Sequence, residues 1–284
     1  MKKFFQVLTA LTLCLTAAGC GAQKPETPQY SNLADAATRA EAREVMTVAG
    51  LEETRLDVLF DHVDQINAVV PKEQLTEGYA PVGEPKYDPW DLQDTWTAQY
   101  PDFMGYNCRI TAYSLFQKFV TVPERAETRL EMLPFDLDAL SVDDSAFPDG
   151  EASFSTLYST IPTGSSQEVE PHVEDLQKDW KERGIAFEDI PDVRLISVVF
   201  HDVEDSDFLF IGHTGLLFPT EDGLYFLEKL AFQEPYQWVK FQSREQLSDY
   251  LMTKYDVNEG QPLAPPFILE NDQLMEGYRP KPDA

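Results

Sequence analysis

Cysteine is scarce in this chain, with only Cys14, Cys20 and Cys108 in 284 residues. A disulfide-stapled scaffold needs several pairs of thiols, so that class is excluded. Basic residues are also few: Lys and Arg total 22 against 50 Asp and Glu, a formal charge of −28. Phosphate backbones and anionic lipid surfaces are gripped by clustered Lys and Arg, so nucleic acid and polybasic membrane docking are excluded as well. Histidine occurs four times, at His62, His172, His201 and His213. There is no His-Glu-x-x-His, no Cys-x-x-Cys and no glycine-rich phosphate loop, so neither a metal centre nor a cofactor is expected. The acidic run Asp202, Glu204, Asp205 and Asp207 lacks the glycine and closing glutamate of an EF-hand and reads as a solvated turn rather than a calcium site. No internal repeat is visible.

The chain does have ample core material. Apolar residues make up 43% and aromatics 12%, too many for a disordered chain and enough for one large domain or two small ones. The N-terminus follows an addressing pattern: basic Met1-Lys2-Lys3, an uncharged stretch from Phe4 to Ala18, then Ala17-Ala18-Gly19-Cys20. The apolar stretch, about 15 residues, is too short for a comfortable membrane span. Small residues ending on a cysteine resemble the lipobox of bacterial lipoproteins. That resemblance implies cleavage before Cys20, diacylglycerol on its thiol and anchoring on the outer face of the bacterial cytoplasmic membrane. Residues 1–19 then form the signal and residues 20–31 the lipidated cysteine and its polar tether. Loss of Lys2 and Lys3 takes the charge to −30 and leaves Cys108 as the only free thiol.

Residues 32–284 read as one α+β domain with a helical N-terminal part. An Ala-, Glu- and Arg-rich stretch predicts a helix over 32–48. Leu51, Leu56, Leu59, Phe60, Val63, Ile66 and Val70 form the 3.6-residue stripe of a second helix over 51–69. Residues 71–105, rich in proline and aromatics, read as a long ordered loop. The aromatic stretch Tyr87 to Tyr106 reads as core packing first and as a cleft lining second. A core helix is predicted from Cys108 to Val120, a short one near 124–133, and another from Pro171 to Gly184. The period then changes. Strands are predicted over 193–201, 207–218, 224–232 and 238–241, followed by a helix from Ser243 to Tyr255 with Ser243 as N-cap. The tail from Pro262 is expected to wrap the surface.

Three residues combine into a candidate site. Cys108 opens a predicted helix, where the partial positive charge of the N-terminus favours thiolate. His213 lies between Gly212 and Gly215 in a strand, and glycines in strands often admit a close approach. Glu228 lies on the next strand. A four-residue loop, Pro219 to Asp222, would pair Phe218 with Gly223 and set His213 opposite Glu228 on one face. The order nucleophile, base, orienting acid suits thiol acyl transfer, with His213 taking the thiol proton and Glu228 holding its tautomer. The Cys108 amide with Asn107, Gln99 or Tyr106 would serve the oxyanion. Arg109 would grip a substrate carboxylate.

The segments Tyr106-Asn107-Cys108-Arg109-Ile110-Thr111-Ala112, Gly212-His213-Thr214-Gly215 and Leu227-Glu228-Lys229-Leu230-Ala231-Phe232-Gln233-Glu234-Pro235-Tyr236 resemble a family of bacterial (Firmicutes) lipoproteins, domain of unknown function 4300, over roughly residues 45–260. More distantly, a Cys-led helix followed by a His-Thr-Gly-Leu-Leu strand is similar to the NlpC/P60 and papain-like cysteine hydrolases. Those place Asp before the cysteine and a small residue after it, where this chain has Asn107 and Arg109. The resemblance implies a papain-like core of helices on an antiparallel sheet, with Cys108 as nucleophile, His213 as base and Glu228 as orienter, hydrolysing amide bonds in cell-wall peptide or envelope protein. The competing expectation is a lipoprotein without catalysis that binds a ligand or an envelope partner through the same cleft.

Overall fold

Capping chemistry and apolar spacing place most of the elements. The computed structural model describes residues 27–281 apart from 126–127, 191, 204–205 and 258–259. The signal, Cys14, Cys20 and the tether as far as residue 26 lie outside the described residues. In chain order the elements are β1 (Gln29–Ser31), α1 (Ala36–Val48), α2 (Glu53–Val69), β2 (Ala80–Pro81), α3 (Pro89–Gln99), α4 (Cys108–Phe116), β3 (Val120–Thr121), α5 (Pro134–Val142), α6 (Glu151–Tyr158), β4 (Ile161–Pro162), α7 (Val169–Arg183), β5 (Ala186–Phe187), β6 (Arg194–Asp202), β7 (Phe208–Thr220), β8 (Gly223–Lys229), β9 (Tyr236–Phe241), α8 (Arg244–Tyr255), β10 (Phe267–Glu270) and β11 (Gln273–Leu274).

The protein is α+β, as expected. One antiparallel sheet runs β11-β10-β6-β7-β8-β9-β1-β2, with β4 added to β7. Its central strands are apolar on both faces. Leu195, Val199, Leu216 and Phe218 pack against the layer of helices α1–α7. Ile196, Val198, Leu217 and Phe226 pack against Leu247, Leu251 and Met252 of α8. Local chemistry ends the helices where the sequence suggests. Asp35 caps α1 by accepting from the Ala37 and Thr38 amides, and Ser243 caps α8 through the Gln246 amide at 3.3 Å. Gly184 ends α7 in the left-handed region at φ +79°, which costs a residue without Cβ nothing.

Three expectations are corrected. Residues 71–105 are not loop throughout, because α3 starts at an Asp-Pro cap in which Asp88 accepts from the Trp90 amide at 2.8 Å with Pro89 in the first turn. The described part of 124–133 contains no helix. The helices lie further on, as α5 and α6, where Pro134 opens the first and Phe154, Leu157 and Tyr158 bury the second. Finally, neither end of the domain trails over the surface. Residues 29–31 pair with β9, and Gln29 and Tyr30 also with β2, and the tail supplies β10 beside β6, with Phe267, Ile268 and Leu269 inaccessible to solvent.

That burial is testable. Phe267→Ala is expected to cost about 3–5 kcal/mol in denaturant unfolding, the penalty of a core cavity. A loss below about 1 kcal/mol would return the segment to the surface.

Candidate functional site

Strand β7 creates the site because its pairing is interrupted. Its start pairs with β4, Leu209 against Ile161, and its end pairs with β8 from Gly215 opposite Glu228 onward. Between those partners residues 210–214 have, among the described residues, no strand beside them on that edge. The N-terminus of α4 occupies the opening. Arg109 Nη1 donates to the Ile211 carbonyl at 3.0 Å, and the Thr214 backbone N–H donates to the Cys108 sulfur. Asn107 starts the helix as its N-cap, its Oδ1 accepting from the Ile110 amide at 3.0 Å.

On its other edge β7 carries a β-bulge. Val198 pairs with His213 and Val199 with Ile211, leaving Gly212 as the extra residue. A bulge reverses the alternation of side chains beyond it. Ile211 therefore packs into the helical-layer core, while His213 emerges on the α8 face, stacked on Tyr255 with ring centroids 4.7 Å apart.

The expected hairpin register is corrected. The turn holds only Glu221 and Asp222, so Thr220 pairs with Gly223 and Gly215 faces Glu228. The offset is two residues, which preserves the face of every side chain. His213 and Glu228 thus remain on one face as diagonal neighbours. His213 Nε2 and Glu228 Oε2 lie 2.8 Å apart, and the thiol of Cys108 hydrogen-bonds the same ring. With Nε2 committed to the carboxylate, Nδ1 is the nitrogen left for the thiol.

All three groups are buried: Cys108 is 5% exposed, His213 and Glu228 1% each. Burial pushes the Cys108 thiol up, but the His213 hydrogen bond and charge, the Arg109 charge and the Thr214 N–H outweigh it, and the net shift is downward. Burial opposes the charged imidazole, yet bonding to Cys108 and Glu228 raises His213 to about 9. Burial would also raise Glu228, but Lys254, His213 and Tyr250 hold it at about 2. Together these shifts favour a thiolate–imidazolium pair backed by a carboxylate.

Sequence reasoning missed the other side of this acid. The Tyr250 hydroxyl donates to Glu228 Oε1, and Lys254 Nζ lies 3.6 Å from the same oxygen. Both come from α8, one turn apart. A buried glutamate requires such partners, and that requirement was the available signal. Lys229, next in the chain, points to the opposite face and is 2% exposed. Its ammonium donates to the Ala231 and Phe232 carbonyls at 2.9 Å and also to the Glu234 carbonyl. This cage fixes the loop after β8, whose Phe232 carbonyl abuts Gly105; a Cβ there would lie only 2.8 Å from that oxygen.

The residues expected to bind substrate are placed as follows. Arg109 spends its remaining donors on both oxygens of buried Asp136, at 2.9 and 2.6 Å, and on the Met132 carbonyl. Asn107 Nδ2 donates to the same Asp136 at 2.7 Å. The Tyr106 hydroxyl reaches the Asp143 carbonyl at 3.0 Å, while its ring lies against His62 at 4.2 Å. All three thus brace the segment that carries Cys108. Gln99 donates to the Tyr100 hydroxyl at 3.2 Å. The remaining histidines stand apart: His172 and His201 pair rings at 4.4 Å, and His201 meets Asp207 at 3.1 Å. Glu204 and Asp205 of the acidic run lie outside the described residues. Among the described residues no three His, Cys, Asp or Glu side chains are grouped to hold a metal ion, and no helix is long and apolar enough to cross a membrane.

The chain matches, over residues 29–275, the protein family described as Domain of unknown function (DUF4300). No curated protein and no solved structure matches it.

The acid sensitivity of Glu228 follows from its position. Its folded value, about 2, lies below the ordinary 4.5. Its contribution to stability is therefore complete above about pH 5 and is lost as the pH falls toward 2. Glu228→Gln is expected to flatten the fall in Tm between about pH 5 and 3 relative to the parent. Equal slopes would show that the carboxylate is not held as a charged partner of His213.

Proposed function

The chain belongs to the DUF4300 family, and we propose that it is a cysteine hydrolase with a papain-like core that cleaves amide bonds in cell-envelope peptide or protein. The observation carrying this reading is the continuous relay from Cys108 through His213 to Glu228, with the His213–Glu228 contact at 2.8 Å. In this mechanism the Cys108 thiolate attacks the scissile carbonyl carbon. The oxyanion takes the Cys108 amide, which as the first N–H of α4 has no acceptor within the helix. The imidazolium of His213 then gives its proton to the departing amine, leaving a thioester on Cys108. Water, deprotonated by His213, attacks the thioester and releases the acid, returning the proton to the Cys–His pair. Glu228 keeps the ring oriented and stabilises its charge without taking the proton. Arg109 acts as a positioning residue, tying the start of α4 to Asp136 and to the open edge of β7. The lipobox-like Ala17-Ala18-Gly19-Cys20 supports anchoring through lipid on Cys20, with the acidic domain held outside the cytoplasmic membrane.

A second reading, a ligand- or partner-binding lipoprotein without catalysis, draws on the closure of the site, since Cys108 is buried and Tyr255 lies over His213.

Alkylation separates the two. Iodoacetamide should label Cys108 at a rate that is already high and nearly flat through neutral pH, because the ion pair persists until His213 loses its proton near 9. His213→Ala should restore a rate that climbs toward an ordinary thiol pKa of about 8.5. A parent thiol that titrates near that value, or stays inert throughout, would sink the hydrolase reading.

A further inference from the structure

Beside His213 the α8 face of the sheet carries aromatic side chains at the margin of the core, Phe200 and Tyr255 packing against it without being fully covered. Phe208, Phe210, Phe200 and Tyr255 are each half-buried. Their rings form a connected series. Phe208 meets Phe210 at 6.1 Å, Phe210 stacks on Phe200 at 5.3 Å and 18°, and Phe200 meets Tyr255 edge-on at 6.2 Å. Tyr255 in turn stacks on the His213 imidazole. The glycine of the bulge makes room for the series. A Cβ on Gly212 would sit 2.5 Å from the Phe200 ring and 3.2 Å from the Phe210 ring. The residue that turns His213 toward α8 therefore also lets two phenyl rings lie against the backbone next to it.

At Phe208 the series reaches the wall of a cleft of about 510 Å³, where Pro162 and Met132 stand with Arg129, Glu131, Asp202 and Asp207. The Met132 carbonyl is the one held by Arg109, the neighbour of Cys108. A partly exposed aromatic surface is costly in water, and such surfaces commonly mark binding sites. This one runs up to the imidazole of the proposed relay, which identifies its occupant as part of the substrate.

We propose that Phe200, Phe210 and Tyr255 form the subsite for an aromatic or large aliphatic side chain of the peptide substrate, beside the bond that is cut. This rests on Cys108 being the nucleophile. Rings in contact with rings gain from offset or edge-on packing. The formal charge of −28 disfavours an anionic side chain, and it is the rings beside His213 that supply apolar recognition.

Two alkylating reagents test this on the full chain, with modification read by mass spectrometry on the peptide containing Cys108. One is iodoacetamide and the other its N-phenyl analogue, with glutathione setting their intrinsic ratio. The phenyl reagent should be favoured at Cys108 by roughly threefold to tenfold beyond its ratio with glutathione, the rate equivalent of one aromatic contact. Phe210→Ala should remove that preference, read as the ratio of the two rates relative to glutathione. Phe210→Leu, which keeps apolar volume and guards against misfolding, should lower the preference in the same direction. A ratio equal to that of glutathione, or one unaffected by either substitution in folded protein, overturns the subsite and leaves the nucleophile standing. No reaction with either reagent at any pH overturns both.

Discussion

An interrupted strand edge governs this molecule. Residues 210–214 of β7 lie between two partner strands and pair with neither on that side. Unpaired backbone groups in a buried sheet are expensive, and α4 satisfies two of them with its first residues. The Arg109 guanidinium stands in for a strand at the Ile211 carbonyl, and the Cys108 sulfur takes the Thr214 amide. The thiol reaches a histidine on the far face of the sheet because the sheet is open there. Asp136 completes the arrangement. It holds Arg109 and Asn107 together, so the helix cap and the plug of the strand edge are one hydrogen-bonded unit.

A second constraint is electrostatic. The site buries a carboxylate, an imidazole and a thiol in a chain with few cations. Two of the 22 basic residues are spent on it from opposite directions, Arg109 beside the sulfur and Lys254 beside Glu228. Lys229 serves a neighbouring purpose by gathering three carbonyls into a fixed loop. A buried charge left without partners would lose its proton or gain one. Glu228 and His213 each have a geometric reason to stay ionised, whereas burial draws Lys229 down to about 7 despite its three carbonyl acceptors.

Residue type and parity made the meeting of the site's three side chains legible in the sequence. Cys108 at a helix start, His213 between glycines and Glu228 on the next strand come together even though the turn is two residues tighter than expected. An even offset leaves the faces unchanged, so the conclusion survived an incorrect loop. What stayed hidden was what depends on distant partners. The bulge at Gly212 answers to β6, and the roles of Tyr250 and Lys254 exist only once α8 lies across the sheet. Arg109 looked free for substrate because Asp136, 27 residues on, belongs to a helix that the apolar pattern did not announce. The short helices α5 and α6 carry too few turns for a periodic stripe to emerge, and Phe267 to Leu269 sit among prolines that suggested a wandering tail.

The far edge of the sheet bears on how the protein must assemble. Strand β1 joins at Gln29 to Tyr30 opposite Lys240 and Val239, a closure spanning most of the chain. The other flank is completed by β10, synthesised later still. A chain that emerges N-terminus first therefore carries its opening strand with only the two-residue β2 to pair it until the residues of β9 arrive. Contacts of such long range fold slowly and leave apolar strands exposed in the interval. The early helices α1 and α2 can pack on each other during that wait, giving the opening segment local structure while β9 is still being made.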